Sequence, residues 1–214
     1  MLVSEHLCQI EQFMLDHAGD SAHDADHIYR VLSQALQIAK NYDVDYDVLV
    51  AACLLHDIGR PAQFANPKLC HAEIGCEMAY EFLKNLGWSE ENCCRVRHCI
   101  LTHRFRNDLQ PETIEAKILF DADKLDVCGA LGIARTLQYE GKMDYPLQEF
   151  LKEYDRKLIK LYDLFYTRTA RQMAQCKKDI LTTFRNALMT QLDQSEAQKW
   201  LKSAKGSSGD PENA

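Results

Sequence analysis

The segment Val48-Leu-Val-Ala-Ala-Cys-Leu-Leu-His-Asp-Ile58 carries the strongest information about the fold and chemistry of this chain. Its first eight residues are apolar and predict a buried helix, yet they lead directly into His56 and Asp57. A buried charge is costly unless it is paired or bound to a metal. Imidazole and carboxylate together suit a first-row divalent ion. Taken alone, the pair also fits a histidine that caps the core beside an aspartate that accepts a loop amide.

A second polar intrusion favours the metal interpretation. His27 lies in Ala22-His-Asp-Ala-Asp-His27-Ile-Tyr-Arg-Val31, on a predicted helix whose following positions are apolar: Ile28, Val31, Leu32 and Leu36. The distance from His27 to His56 corresponds to about two helices and a turn. The sequence therefore predicts two histidines on separate helices.

A third intrusion is the acidic cluster in Ile118-Leu-Phe-Asp-Ala-Asp123-Lys-Leu-Asp126, within an otherwise apolar segment. Three carboxylates so close together repel one another unless something cationic neutralises them. Lys124 supplies part of that charge, and a metal ion would supply the rest. Asp121 and Asp126 are also compatible with a solvated face or with contacts to the ligands rather than to the metal.

The predicted fold class is all-α, a single-domain helical bundle. Apolar residues recur at helical spacing along the chain, and no pair of strand-like runs is joined by a hairpin turn. We predict helices near 3–17, 22–41, 45–58, 71–86, 89–104, 112–140, 146–166 and 168–192. Ser21 to Asp24 has the form of a capping box, and Gly59-Arg60-Pro61 should end the third helix, leaving Arg60 to Cys70 as a loop. The domain is predicted to span 1–202 and a disordered tail 203–214.

Composition excludes several classes of protein. The chain has 214 residues and a net charge of -7, which argues against binding to a nucleic-acid polymer. No apolar run is long enough to cross a membrane. Nine cysteines, an odd number without a signal peptide, indicate reduced thiols and a cytoplasmic location. Most should behave as small apolar core residues. The sequence has no paired C-x-x-C spacing, so we do not expect structural zinc.

The order of these motifs resembles the HD-domain metal-dependent phosphohydrolase superfamily, and most of all its small stand-alone bacterial members. The matching motifs are His23-Asp-x-x-His27-Ile-x-Arg-Val, His56-Asp57-Ile-Gly and Asp121-Ala-Asp123-Lys-Leu-Asp. They cover roughly residues 20 to 135. The resemblance implies that His27, His56, Asp57 and Asp123 bind a divalent ion, and the sequence leaves its identity open among manganese, iron, cobalt, nickel and magnesium. We expect one ion, because the chain lacks the doubled His-His-Glu and the Gly-Tyr-Pro run of the cyclic-dinucleotide phosphodiesterase branch of the superfamily.

The resemblance also implies hydrolysis of a small phosphorylated substrate, which we expect to be a nucleotide, by a metal-activated water. Lys124 and Arg60 lie beside ligands in the sequence and are candidates for stabilising the phosphoryl group, although each also fits a plain ion pair. His23 lies one helical turn before His27 and is a third candidate catalytic residue.

Three further histidines have alternative interpretations. His71 and His103 loosely resemble positions where some relatives bind a second metal, so they either line the pocket or bind that metal. His98 fits a pocket or a core position. Two other functions remain open: a di-iron oxygenase in the same helical frame, and a regulatory module without turnover.

Overall fold

The computed structural model describes residues 2–18, 25–104, 109–142 and 160–207, and its regular structure is helical throughout these ranges. No strand occurs in them, which confirms the all-α class. The helices are α1 (Leu2–Asp16), α2 (Ala25–Ala39), α3 (Tyr46–Leu55), α4 (Arg60–Ala65), α5 (His71–Asn85), α6 (Glu90–Thr102), α7 (Ile114–Leu125), α8 (Gly129–Lys142), α9 (Arg168–Gln191) and α10 (Ser195–Ser207), with a 3₁₀ turn at Lys160–Asp163.

Helix α3 lies at the centre of the bundle. Its N-cap is Asp45, whose carboxylate accepts hydrogen bonds from the backbone N–H groups of Asp47 and Val48. From Val48 to Leu55 every residue except Val50 is buried. Helices α1, α2, α6 and α7 all pack against α3. Because other helices surround α3, its residues are apolar around the whole circumference of the helix.

Two glycines bring the turn after α3 against α5. A Cβ atom at Gly59 would lie 2.2 Å from the carbonyl oxygen of His71 and 2.8 Å from the backbone nitrogen of Gly75. A Cβ atom at Gly75 would in turn lie 3.2 Å from the nitrogen of Gly59. Only glycine permits so close an approach of two backbones. The contact fixes the first residue of α5 beside the His56-Asp57 turn.

Two predicted boundaries are wrong. The segment Arg60 to Cys70 is not entirely a loop, because α4 occupies its first six residues. Pro61 does not prevent this, since a proline in the first turn of a helix gives up only an N–H that has no helical partner there. The helix predicted over 112–140 is two helices. Gly129 has a φ of 65°, a left-handed conformation that interrupts the helix between α7 and α8.

The C-terminal third differs from the prediction as well. Of the helix predicted over 146–166, only 160–166 lies in the described part, where a 3₁₀ turn is followed by non-helical chain. The tail predicted from Ser203 begins too early, because α10 continues to Ser207 and Ala204 and Lys205 are good helix formers. The capping box at Ser21 to Asp24 lies outside the described residues, as does the segment after Ser207.

All nine cysteines lie in the described ranges and are free thiols. Five of them, Cys53, Cys76, Cys93, Cys99 and Cys128, are buried, which fits the prediction that most behave as apolar core residues. In the described part of the chain, no helix is both long and apolar enough to span a bilayer.

Candidate metal centre

The structure brings the four predicted ligands together from three helices. His27 lies in the first turn of α2, His56 and Asp57 form the turn after α3, and Asp123 lies near the end of α7. Nε2 of His27 is 3.5 Å from Oδ1 of Asp123 and 3.7 Å from Oδ2 of Asp57. Nε2 of His56 is also 3.7 Å from Oδ2 of Asp57. His27, His56 and Asp57 therefore form one compact cluster, and Asp123 joins it through its contact with His27.

Two atoms in this cluster are buried and lack a hydrogen-bond partner. They are Nε2 of His56 and Oδ2 of Asp57. Buried polar atoms are almost always satisfied in native structures, so an unsatisfied pair requires an explanation. Both atoms belong to groups that bind divalent ions. Ligand atoms of His27, His56 and Asp57 lie within 4.8 Å of one another, so these residues fit a metal ion.

The other oxygen of Asp57 faces a second pair of histidines. Oδ1 of Asp57 is 3.2 Å from Nε2 of His71 and 3.8 Å from Nε2 of His103. The two Nε2 atoms are 3.3 Å apart. All three side chains are buried. Asp57 thus lies between two clusters, the first with His27 and His56 and the second with His71 and His103.

All four histidines are anchored in the same way, through Nδ1. His56 and His103 each directly follow a helix and pair with the carbonyl oxygen three residues earlier, of Cys53 at 2.7 Å and of Ile100 at 2.5 Å. The remaining two pairs are His71 with Oε1 of Gln63 at 2.6 Å and His27 with Oδ2 of Asp126 at 2.8 Å. Each partner oxygen only accepts, so each Nδ1 carries the proton and each Nε2 presents a lone pair to the centre.

Burial and neighbouring charges set the protonation of the centre. Burial lowers the pKa of His56 to about 4 and that of His71 to about 3. Burial alone would raise the pKa of Asp57, but His56 and Arg60 outweigh it and hold that pKa well below its usual range. Burial would also raise the pKa of Asp123, but the charge of Lys124 helps to hold that pKa well below its usual range. Neutral imidazoles and ionised carboxylates are the forms that bind metal.

Two cations border the cluster. Nε of Arg60 donates to Oδ1 of Asp57 at 3.0 Å. Nζ of Lys124 donates to Oδ2 of Asp123 at 2.7 Å and to the carbonyl oxygen of His103 at 3.3 Å. Arg60 and Lys124 are 19% and 17% exposed, so both reach solvent beside buried groups. Lys124 therefore pairs with the predicted ligand Asp123 rather than with a surface acid.

The neighbouring acids of the third motif are both buried and have different partners. Asp121 accepts hydrogen bonds from the backbone nitrogens of Tyr166 and Thr167, at 2.8 and 2.7 Å, and from Oγ1 of Thr167 at 2.6 Å. Asp126 contacts Nδ1 of His27. A solvated face, one interpretation of these residues, is wrong for both.

Two other candidates lie elsewhere. Nε2 of His98 accepts a hydrogen bond from the backbone of Glu112 at 3.1 Å, so this half-buried residue anchors a loop and is not one of the four clustered histidines. His23 lies outside the described residues.

The Nδ1 partners of His56, His71 and His103 were not predicted from the sequence. Gln63 belongs to the segment that was predicted to be a loop, and nothing in its neighbours points to His71. The carbonyl partners had a local signal, because Cys53-Leu-Leu-His56 and Ile100-Leu-Thr-His103 place a histidine at the same offset at the end of an apolar helix.

The helical frame and the histidine-carboxylate cluster define an all-α protein with a candidate metal centre. Comparison with known sequences agrees: the HD domain family model matches residues 24–128. The chain belongs to the HD domain family. It is 31% identical to the Bacillus subtilis (strain 168) protein YpgQ over an alignment of 172 residues, and the match covers 77% of this chain and 82% of YpgQ.

Solved structures show the same relationship. The crystal structure of Bacillus subtilis YpgQ in complex with ADP has a TM-score of 0.75 at 27% identity and covers 92% of this chain and 100% of that one. A predicted HD superfamily hydrolase from an uncultured Thermotogales bacterium has a TM-score of 0.66 at 30% identity, covering 88% and 94%. An HD-superfamily hydrolase from Bacillus thuringiensis has a TM-score of 0.69 at 28% identity, covering 88% and 97%.

Proposed function

We propose that this protein is a metal-dependent phosphohydrolase that cleaves a phosphate ester or phosphoanhydride of a small substrate. The substrate that we propose is a nucleotide. The observation that carries the proposal is the pair of unsatisfied buried atoms, Nε2 of His56 and Oδ2 of Asp57, which face each other within a ring of ligand-type side chains. Membership of the HD domain family supports it. The structure of YpgQ with ADP supports a nucleotide as substrate.

In this proposal His27, His56, Asp57 and Asp123 hold the first divalent ion. A bound ion of this kind lowers the pKa of a water ligand and polarises a phosphoryl oxygen. The four side chains come from three different segments of the bundle. The Nδ1 contacts of His27 and His56 keep both imidazoles turned toward the ion. Manganese, iron, cobalt, nickel and magnesium all suit such ligands, since availability and geometry decide among them.

We also propose a second cation position between Asp57, His71 and His103. With Nδ1 protonated on both rings, the two Nε2 lone pairs face each other at 3.3 Å, and a carboxylate oxygen lies beside them. Arg60 donates to that oxygen, but neither ring nitrogen has a proton to share with it or with the other ring, so the facing lone pairs repel one another. A cation removes this repulsion, so the geometry favours two ions over the single ion that the motifs alone suggested.

Lys124 and Arg60 are proposed to bind the phosphoryl oxygens of the substrate. Each lies at the solvent edge of the cluster and already pairs with a ligand carboxylate. When metal neutralises these carboxylates, the lysine and the arginine lose much of their attraction to them. The same charges then stabilise the negative charge that develops on a transferred phosphoryl group.

One observation favours a second function, a di-iron oxygenase. Asp57 lies between two histidine pairs, and this arrangement suits two redox-active iron ions as well as it suits two ions of a hydrolase. Metal analysis of the purified protein and oxygen consumption with organic substrates distinguish this function from hydrolysis. The intact ligand set argues against a regulatory module without turnover.

The test combines metal analysis with a substrate screen. The purified protein is loaded with each of the five metals and incubated with nucleoside mono-, di- and triphosphates and with phosphomonoesters. Release of phosphate or pyrophosphate is measured. We expect metal-dependent release from at least one nucleotide.

Asp57→Ala should abolish both bound metal and hydrolysis with helical content retained, whereas Asp43→Ala, at an exposed position, should change neither. Full metal stoichiometry in Asp57→Ala would refute the assignment of the site. If no substrate in the panel released phosphate or pyrophosphate with any of the five metals, the proposed phosphohydrolase activity would be refuted.

A further inference from the structure

We infer that Asp126 is a positioning residue of the metal centre: its carboxylate fixes the tautomer and orientation of His27 and strengthens that histidine as a ligand. This inference rests on the proposed function, since it assumes that His27 binds a cation. It assigns a specific task to the last acid of the third motif, which lies 99 positions from His27 in the sequence.

The geometry around Asp126 supports this role. The side chain is completely buried, and its Oδ2 lies 2.8 Å from Nδ1 of His27. His56, His71 and His103 are anchored by neutral oxygens, whereas His27 is anchored by a carboxylate. An anionic acceptor makes the imidazole more basic and a stronger ligand, and partners of this kind also orient the ring.

Two arginines allow the carboxylate to remain charged in this buried position. Nε of Arg30 donates to Oδ1 of Asp126 at 2.9 Å, and Nη1 of Arg135 donates to Oδ2 at 2.5 Å. A buried charge is costly unless it is paired. The two arginines therefore support the contact between Asp126 and His27.

The proposal predicts an asymmetric effect on the two cation positions. His27 contributes to the first position, with His56 and Asp123, and not to the second, with His71 and His103. Asp126→Asn keeps the size and one carbonyl oxygen of the side chain but removes its charge. The substitution should therefore weaken binding at the first position and leave the second unchanged.

A purely structural role is the alternative, because Asp126 also ties α2, α7 and α8 together. Asp121 provides a matched control. It is also completely buried, lies on α7 just before Asp126, and accepts several hydrogen bonds. Its partners, however, are Tyr166 and Thr167 rather than a histidine of the centre. A structural role predicts similar effects of the two substitutions, whereas a positioning role does not.

The experiment measures Mn²⁺ affinity by competition with a chelator in the full-length wild type, Asp126→Asn and Asp121→Asn, with thermal stability recorded for each. We expect a loss of Mn²⁺ affinity of about 10- to 100-fold at one position in Asp126→Asn, with unchanged affinity in Asp121→Asn. Equal affinity of wild type and Asp126→Asn would overturn this inference alone. A wild type that binds no divalent ion would instead overturn the proposed function on which it rests.

A second measurement does not depend on any variant. Nitrogen-15 NMR of the metal-free wild type reports which ring nitrogen of each histidine carries the proton. We expect the Nδ1–H tautomer for His27, held by Asp126. Finding the Nε2–H tautomer there would overturn the inference even if Asp126→Asn does not fold.

Discussion

Replacing Gly59 by alanine should damage both the stability of the protein and its metal centre. The added Cβ would lie 2.2 Å from the carbonyl oxygen of His71, whereas ordinary contacts of this kind begin at about 3.5 Å. The φ of Gly59 is -80°, so backbone strain adds nothing and the effect is purely steric. Because the opposing atom is backbone, α5 has to move by about 1 Å, and overpacking of this kind costs about 3 kcal/mol.

That cost corresponds to a fall in Tm of about 6–12 °C for a chain of this size. The same displacement carries His71 away from Asp57, so the second cation position should lose affinity. Thermal unfolding and metal titration of one preparation check both effects. Gly141→Ala is the matched control, since a Cβ atom there meets nothing within 4 Å and alanine favours a helix. Equal Tm values for the two variants would refute the steric argument.

Three further predictions concern charge in the centre. Lys124→Met should leave metal content unchanged and lower kcat/KM by about ten- to a thousandfold; near-normal turnover with full metal would remove this lysine from the active site. Asp123→Ala should cost most of the affinity at the first cation position and Asp121→Ala little of it, as measured by metal titration, and equal losses would show that Asp123 is not a ligand. The metal-free protein should lose stability as the pH falls below 6.5, because burial lowers the pKa of His56 to about 4 and that of His71 to about 3, so the unfolded chain binds protons that the folded chain does not. The loss in the free energy of unfolding should approach about 1 kcal/mol per pH unit for each histidine. Urea titrations between pH 7 and 4.5 measure it, and a constant free energy of unfolding over this range would contradict the prediction.

Most helices and the clustering of His27, His56, Asp57 and Asp123 could be predicted from the sequence because their signals are local. The apolar run that ends in His56-Asp57 and the acidic cluster at Asp121 to Asp126 are each visible within a short stretch of sequence. The helical period of apolar residues placed most elements correctly. The turn at Gly129 was missed because small apolar residues on both sides of it continue the helical pattern.

The partners that orient the ligands were not accessible, because they depend on tertiary packing. His27 lies on α2 and Asp126 directly follows α7, and nothing in either sequence context specifies their contact. Gln63 reaches His71 only because α4 folds where a loop was expected and because Gly59 and Gly75 let α5 approach the turn after α3. The convergence of His71 and His103 on Oδ1 of Asp57 has the same origin.

The link between Asp121 and Thr167 bears on how short this protein can become. The family match ends at residue 128, yet Asp121 is satisfied by backbone and hydroxyl groups from Tyr166 and Thr167, and α9 packs against α7 and α8. A fragment cut after Lys142 would leave that buried carboxylate without its donors, at a cost of about 1–3 kcal/mol for each lost contact, and would uncover the core surface opposite Ala170 and Ala174. We therefore expect the autonomous folding unit to extend beyond the family match, and a fragment that ends at Lys142 to be unfolded when its helical content is measured.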